Sequence, residues 1–105
     1  MCEILILSSK NTSTISQYLH CQTIFLWHNN LLLSFTQAEF LAFQKITTQF
    51  EFDVHSLPFP DNVKRLVIQL PKHQVGFAFT DEEWDDLLIV IRESLLMQEV
   101  YAAMR

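Results

Sequence analysis

A six-residue phrase occurs twice in the chain, at residues 35–40 and 79–84, and each occurrence has the pattern of a strand that runs into a helix. The first copy reads Phe-Thr-Gln-Ala-Glu-Phe and the second reads Phe-Thr-Asp-Glu-Glu-Trp. In both copies a threonine is followed three residues later by a glutamate, which is the capping box that satisfies backbone N–H groups at a helix start. The phrase therefore predicts helices that begin after Thr36 and after Thr80.

The residues before each copy also alternate in the same way. Large apolar residues occupy every second position: Leu31, Leu33 and Phe35 in the first copy, and Val75, Phe77 and Phe79 in the second. A period of two is typical of a strand with one buried face. Two explanations remain open, namely an internal ββα duplication and two unrelated strands that each run into a capped helix.

The length and composition predict one ordered domain over residues 1–105. A chain of 105 residues has room for one hydrophobic core, and half of its residues are hydrophobic. Gly76 is its only glycine. Because phosphate-binding loops need several glycines, nucleotide-binding folds of that class are excluded.

Charge excludes a further set of partners. The net charge is −5, and the seven lysines and arginines are scattered along the chain, so neither nucleic acid nor a membrane surface is expected as a partner. The most apolar long segment, residues 87–104, is interrupted by Arg92, Glu93 and Glu99, which argues against a membrane-spanning helix.

Two cysteines are too few for the disulfide framework of a small secreted domain. The amino terminus also lacks the positive charge and length of a signal peptide, and we predict a cytoplasmic protein.

Patterning along the chain predicts the fold class. Strands are predicted at residues 3–8, 14–20, 23–27, 31–35, 65–70 and 75–79, and helices at residues 36–48 and from Asp81 onward. Asn29-Asn30 is expected to form a tight hairpin turn, another turn is expected near residues 71–74, and Pro58 and Pro60 favour an extended connection. The order β-β-β-β-α-β-β-α predicts an α+β fold with an antiparallel sheet of about six strands and two helices on one side.

The last helix has more apolar surface than one sheet can cover. Trp84, Leu87 and Ile91 share one helical face, with Leu88 and Leu95 beside them. The opposite side carries a second group, here called the outer stripe: Ile89, Leu96, Met97, Val100 and Met104. The outer stripe has to meet another part of the chain, a bend in the helix or a second molecule. We predict that it is the interface of a homo-oligomer, because an exposed apolar stripe of this size is unusual on a monomer.

The chain contains cysteine and histidine residues that could bind a metal, but their spacing is not that of a structural metal site. Cys2, His20 and Cys21 are the candidate metal ligands, and pairing of the first two strands would bring Cys2 near the others. Neighbouring residues of a strand point to opposite faces, and His20-Cys21 does not match the paired spacing of structural zinc sites. We expect no bound metal and no cofactor. The acidic residues at 81–86 are interpreted as solvated charges at a helix start, and no catalytic residue is assigned.

Met1-Cys2, Cys21 and the Leu-Leu-Ser-Phe-Thr segment before Glu39-Phe40 resemble a family of short bacterial proteins of unknown function. The resemblance covers roughly the first half of the chain. Many members of that family carry a cysteine pair near the position of Cys21, where this chain has a single cysteine. The resemblance implies no activity.

Two hypotheses about function follow from these patterns. The first is a non-enzymatic protein-interaction module that self-associates. The alternative is a small-ligand or metal-binding domain, which would use the strand face around Tyr18, Trp27 and His28 or the group of Cys2, His20 and Cys21.

Overall fold

A computed structural model describes residues 3–70 and 75–104. The first four strands form one antiparallel sheet in which each strand pairs with the next: β1 (Ile4–Lys10), β2 (Ser13–Tyr18), β3 (Ile24–His28) and β4 (Leu31–Phe35). Asn29 has a φ of 53°, so the predicted hairpin turn is confirmed. The turn predicted at residues 71–74 lies outside the described residues.

The rest of the chain adds three helices and a second sheet. The elements are α1 (Gln37–Thr47), α2 (Phe52–His55), β5 (Leu57–Pro58), β6 (Lys64–Gln69), β7 (Gly76–Phe79) and α3 (Asp81–Ala103). The predicted α+β class is confirmed. The strands differ from the prediction, because the described residues form seven strands in two sheets, of four and of three strands, instead of about six strands in one sheet.

β6 and β7 bury an apolar face of their own. Leu66, Ile68, Phe77 and Phe79 are all at most 2% exposed and alternate with outward-facing residues. The rings of Phe77 and Phe79 lie 6.0 and 4.6 Å from that of His28, the last residue of β3, so this face meets the inner side of the first sheet there. The two sheets thus share one hydrophobic core without pairing at an edge.

Two short elements were missed in the proline-containing connection. A proline restricts the backbone conformation of the residue before it. The helical turn at Phe52–His55 ends before the residues that Pro58 and Pro60 restrict, so it can form. Pro58 itself pairs with Lys64 in β5, which is the edge strand of the second sheet. An edge is where a residue without an N–H group is tolerated in a sheet.

Both predicted capping boxes are confirmed. The Thr36 hydroxyl accepts a hydrogen bond from the Glu39 backbone at 3.1 Å, and the Glu39 carboxylate accepts one from the Thr36 backbone at 2.9 Å. Thr80 and Glu83 repeat the arrangement at 3.3 and 2.9 Å. The aromatic residues that follow, Phe40 and Trp84, are both buried in one core. The two ββα units thus have the same local architecture, while a common origin by duplication stays a prediction.

Helix α3 packs against β1 and β2 of the first sheet and against β6 and β7 of the second. Polar contacts with the first sheet fix its orientation. The Glu93 carboxylate accepts a hydrogen bond from Ser8 at 2.9 Å, and the Gln98 amide donates to Gln17 at 3.2 Å. Among the described residues, no helix combines the length and the hydropathy needed to span a bilayer.

Candidate functional site

The outer face of the four-stranded sheet carries an apolar surface, here called the sheet face. Ile4, Ile6, Trp27 and Leu32 are between 55% and 63% exposed. Tyr18 and Phe25 are half-buried beside them. The contacts of α3 and of the second sheet with the first sheet involve inward-facing residues, namely Ser8, Gln17 and His28. Ile4, Ile6, Trp27 and Leu32 therefore stay exposed on the outer side of the sheet.

Strand register shapes part of the sheet face into a groove, here called the sheet groove. Its floor is β2, where Ser16 lies between Ile6 and Phe25, and Thr14 lies beside Trp27. Phe25 and Trp27 of β3, with Leu32 of β4 beyond them, form one wall, and Ile4 of β1 bounds the other side next to Tyr18. Tyr18 closes one end, with its ring 5.0 Å from that of Phe25 in an edge-on contact. The groove has a volume of about 320 Å³, and none of the described residues that line it is charged.

The outer stripe of α3 is only partly exposed. Leu96, Val100 and Met104 are 59%, 40% and 75% exposed, and Ile89 is half-buried. Met97 instead packs partly buried against the core. Successive residues of an α-helix are rotated by about 100° around its axis. Met97 therefore points toward the sheet, although its neighbour Leu96 points to solvent. The outward-facing part of the stripe therefore consists of the other four residues.

Two opposite charges flank this exposed part. Arg92 lies four residues before Leu96 and Glu99 lies three residues after it, and both side chains are exposed. At about 100° per residue they fall on the same flank of the stripe. Arg92 is also the only basic residue between Asp81 and Ala103.

A polar cluster around the buried His28 joins the four-stranded sheet to the start of α3. His28 is 4% exposed. Its Nδ1 lies 3.3 Å from the Ser13 hydroxyl, and its Nε2 lies 3.3 Å from the Asn29 amide and 3.9 Å from the Glu83 carboxylate. His28 was expected to share a ligand-binding face with Trp27, but successive strand residues point to opposite faces, and the side chain lies inside.

The row of serine, histidine and glutamate has the residue types of a hydrolytic triad. The geometry does not support that chemistry, because Ser13 is 0% exposed and a substrate cannot reach its hydroxyl. The cluster is better explained as hydrogen-bond partners for two buried polar side chains, those of Ser13 and His28.

Burial lowers the pKa of His28, and this effect outweighs the nearby Glu83 charge and the hydrogen bond to the Ala78 backbone, which both raise it. Burial alone would raise the pKa of Glu83. Hydrogen bonds from Thr80 and Asn29, together with the His28 interaction, outweigh that and lower the Glu83 pKa below its ordinary value. At neutral pH the cluster therefore consists of a neutral imidazole beside an ionised carboxylate.

A family model described as "Family of unknown function (DUF6686)" matches residues 1–102. The chain belongs to the DUF6686 family. The resemblance to a family of unknown function is thereby confirmed, over nearly the whole chain instead of the first half. Comparisons with curated proteins and with solved structures found no match. The role of this DUF6686 chain has to be argued from its surfaces.

The candidate metal ligands of the DUF6686 chain are not brought together within the described residues. His20 and Cys21 both lie exposed in the turn between β2 and β3, and Cys2 is outside the described part of the chain. Over residues 3–70 and 75–104, no group of three or more histidine, cysteine or acidic side chains is placed to hold a metal ion. The absence of metal from the purified DUF6686 protein stays a prediction.

We expect the free energy of unfolding of the DUF6686 chain to fall as pH is lowered through about 6.5, the ordinary histidine pKa. The folded state holds the His28 pKa below that value, so the unfolded state binds the proton more readily. The stabilisation from neutral His28 is therefore present above the unfolded pKa and is lost below it, by at most ~1.4 kcal/mol per pH unit.

The measurement is a series of urea denaturation curves between pH 8 and pH 5.5 for wild type and for His28→Gln. The other histidines titrate in both proteins, so the difference in midpoint isolates His28. The stability advantage of wild type should shrink as pH falls. A difference that stays constant across this range would contradict the prediction.

Proposed function

We propose that this chain is a non-enzymatic protein-interaction domain that forms a homodimer through the exposed part of the outer stripe. The supporting observation is that Leu96, Val100 and Met104 remain exposed on α3 although the opposite side of the helix already fills the core. A cytoplasmic location is part of the proposal, since two cysteines are too few for the disulfide framework that small secreted domains use.

The exposed part of the outer stripe suits a second copy of itself. Consider two α3 helices packed antiparallel about a two-fold axis beside Leu96, so that Leu96 meets Leu96 of the second copy. Val100 of one copy then lies opposite Arg92 of the other, and Ile89 lies opposite Ala103. Val100 thus packs against the aliphatic stem of Arg92, and Ile89 packs against the small side chain of Ala103. Such contacts allow the helix axes to approach to about 8–10 Å.

The charges on the flank are also self-complementary. A two-fold rotation keeps each flank of the helix pair on its own side, so Arg92 of one copy faces Glu99 of the second copy. Their offset along the axis is about one residue, or ~1.5 Å. Two such pairs form in each dimer. A partner of a different sequence has no reason to match this arrangement, which is why we commit to a second copy.

The scale of the surface supports the proposal. Helix α3 has 23 residues, which corresponds to a length of about 34 Å. Stable interfaces bury ~800 Å² on each partner, and the exposed part of the outer stripe, which runs from Ile89 to Met104, contributes a share of that area. Burial of apolar surface contributes about 25 cal/mol per Å² on each copy.

The test exchanges the two flanking charges. In Arg92→Glu and in Glu99→Arg, each dimer contains two pairs of like charges, and we expect the dimer to dissociate several-fold more readily in sedimentation equilibrium at low salt. The double variant Arg92→Glu/Glu99→Arg restores opposite charges and should restore the wild-type affinity. The effects of the single changes should shrink as salt is added, because exposed charges are screened.

Two results would refute this dimer. A wild-type protein that stays monomeric at millimolar concentration would exclude self-association. A double variant that associates more weakly than either single variant would show that Arg92 and Glu99 do not face each other across the two-fold axis.

A further inference from the structure

We propose that the sheet groove binds an uncharged, proline-rich segment of a partner protein in the polyproline II conformation. This site lies on the sheet face and does not depend on self-association through α3. Three properties of the groove carry the proposal: the absence of charge in its lining, its dimensions and the direction of its hydrogen-bonding groups.

The charge of the groove differs from that of the whole chain. The chain has a net charge of −5, yet over residues 3–70 and 75–104 no acidic or basic residue lines the groove. A charged ligand would lose its hydration there without gaining an opposite charge. Charge complementarity therefore favours a neutral ligand over nucleic acid and over acidic or basic peptides.

The dimensions match one extended chain. At the Tyr18 end, Ile4 on β1 and the wall on β3 are two strand spacings apart, or about 10 Å. No other described residue of β1 lines the groove. From Tyr18 to Thr14 the floor runs four residues along β2, or about 13 Å at the rise of a strand. A polyproline II helix rises about 3.1 Å per residue, so this length holds about four residues.

The direction in which the backbone groups of the sheet point favours a polyproline II helix over an added strand as the ligand. The outer face of a sheet has no free backbone groups, because these point along the sheet to neighbouring strands, so an added strand would leave its N–H groups without acceptors. Proline has no N–H group, and a polyproline II helix makes no internal hydrogen bonds. Its carbonyl groups need donors, which the Ser16 and Tyr18 hydroxyls and the Trp27 indole N–H can supply.

Aromatic side chains supply the remaining contact. Trp27 is 57% exposed near the Thr14 end of the groove. At the other end the rings of Tyr18 and Phe25 make an edge-on contact with each other. Grooves lined by aromatic residues bind proline-rich segments in several unrelated domains, because the ligand is already ordered and loses little conformational entropy.

The test uses isothermal titration calorimetry with acetylated and amidated decaproline and with a glycine-serine peptide of the same length and end groups. We expect decaproline to bind saturably and the glycine-serine peptide to show no binding. Trp27→Ala removes the aromatic wall and Ser16→Leu fills the floor, and each should weaken decaproline binding at least about tenfold. Leu41→Ala, which removes an exposed apolar side chain on α1, should leave binding unchanged.

Circular dichroism confirms that each variant is folded, and Trp27→Ala and Ser16→Leu provide independent tests of the groove. The Leu96→Glu/Val100→Lys variant of α3 should bind decaproline as wild type does, which separates this proposal from the proposed dimer. Three outcomes would overturn it. These are no saturable decaproline binding at millimolar concentration, equal binding of both peptides, or dissociation of a wild-type oligomer on Trp27→Ala substitution, which would show that a second copy covers the sheet face.

Discussion

The Leu96→Glu/Val100→Lys variant should sediment as a folded monomer at concentrations where wild type is a dimer. The two-fold axis places the introduced carboxylate against its own copy and the introduced ammonium group against Arg92 of the second copy, so like charges meet at both positions. Within one helix, the two introduced charges lie four residues apart and attract each other, which favours the helix. The net charge of the chain does not change.

The expected loss of affinity is large. Fully burying a leucine or valine side chain contributes about 1.5–3 kcal/mol, and four such side chains are replaced in each dimer. Even with partial burial, the dissociation constant should rise by at least about 100-fold, since 1.4 kcal/mol corresponds to a factor of ten. The measurement is sedimentation velocity over a concentration series, with circular dichroism to verify the fold.

Leu41→Glu is the matched control, because Leu41 is 41% exposed on α1 and does not belong to the outer stripe. It should leave the dimer intact. Unfolding or aggregation of Leu96→Glu/Val100→Lys would show that the stripe packs within its own chain, since burying unpaired charges destabilises a fold.

Phe79→Ala is expected to lower the free energy of unfolding by about 3–5 kcal/mol, as is typical when a buried phenylalanine is truncated. Phe79 is 0% exposed. Its ring lies 4.6 Å from His28, 5.5 Å from Phe77 and 5.6 Å from Trp84, so it joins β3, β7 and α3. Domains of this size have a total stability of about 5–15 kcal/mol, and the variant should therefore be close to unfolding.

Val67→Ala serves as the control on the same pair of strands. Val67 pairs with Ala78 on the opposite face from Phe79 and is 38% exposed, so its truncation should cost under about 1 kcal/mol. Urea denaturation midpoints for both variants make the comparison. Equal losses of stability would mean that Phe79 does not lie in the core.

Local patterns in the sequence predicted the parts of the fold that depend on neighbouring residues. Thr36 and Thr80 mark helix starts because each box needs only a glutamate three residues away. Alternation at Phe77 and Phe79 predicted a strand with one buried face for the same reason. The two faces of α3 follow from helical periodicity, although periodicity placed Met97 on the exposed side.

Features that depend on distant parts of the chain could not be predicted. All five residues of β3 are bulky, so periodicity does not show that Leu26 and His28 face the core while Trp27 faces solvent. The sheet groove exists because Ser16 and Thr14 are paired with Phe25 and Trp27 while Tyr18 is paired with Ile4, and such register is set by tertiary packing. Separation into two sheets likewise depends on how β6 and β7 pack across the core.

The placement of the two apolar surfaces has a consequence for avidity. The sheet face lies on the outer side of the four-stranded sheet, and the exposed part of the outer stripe lies on α3, so the two surfaces share no residue. A dimer joined through α3 therefore leaves both sheet grooves open. A partner with two proline-rich segments would bind both grooves at once only if its linker can span the distance between them, and the gain in affinity would then depend on linker length.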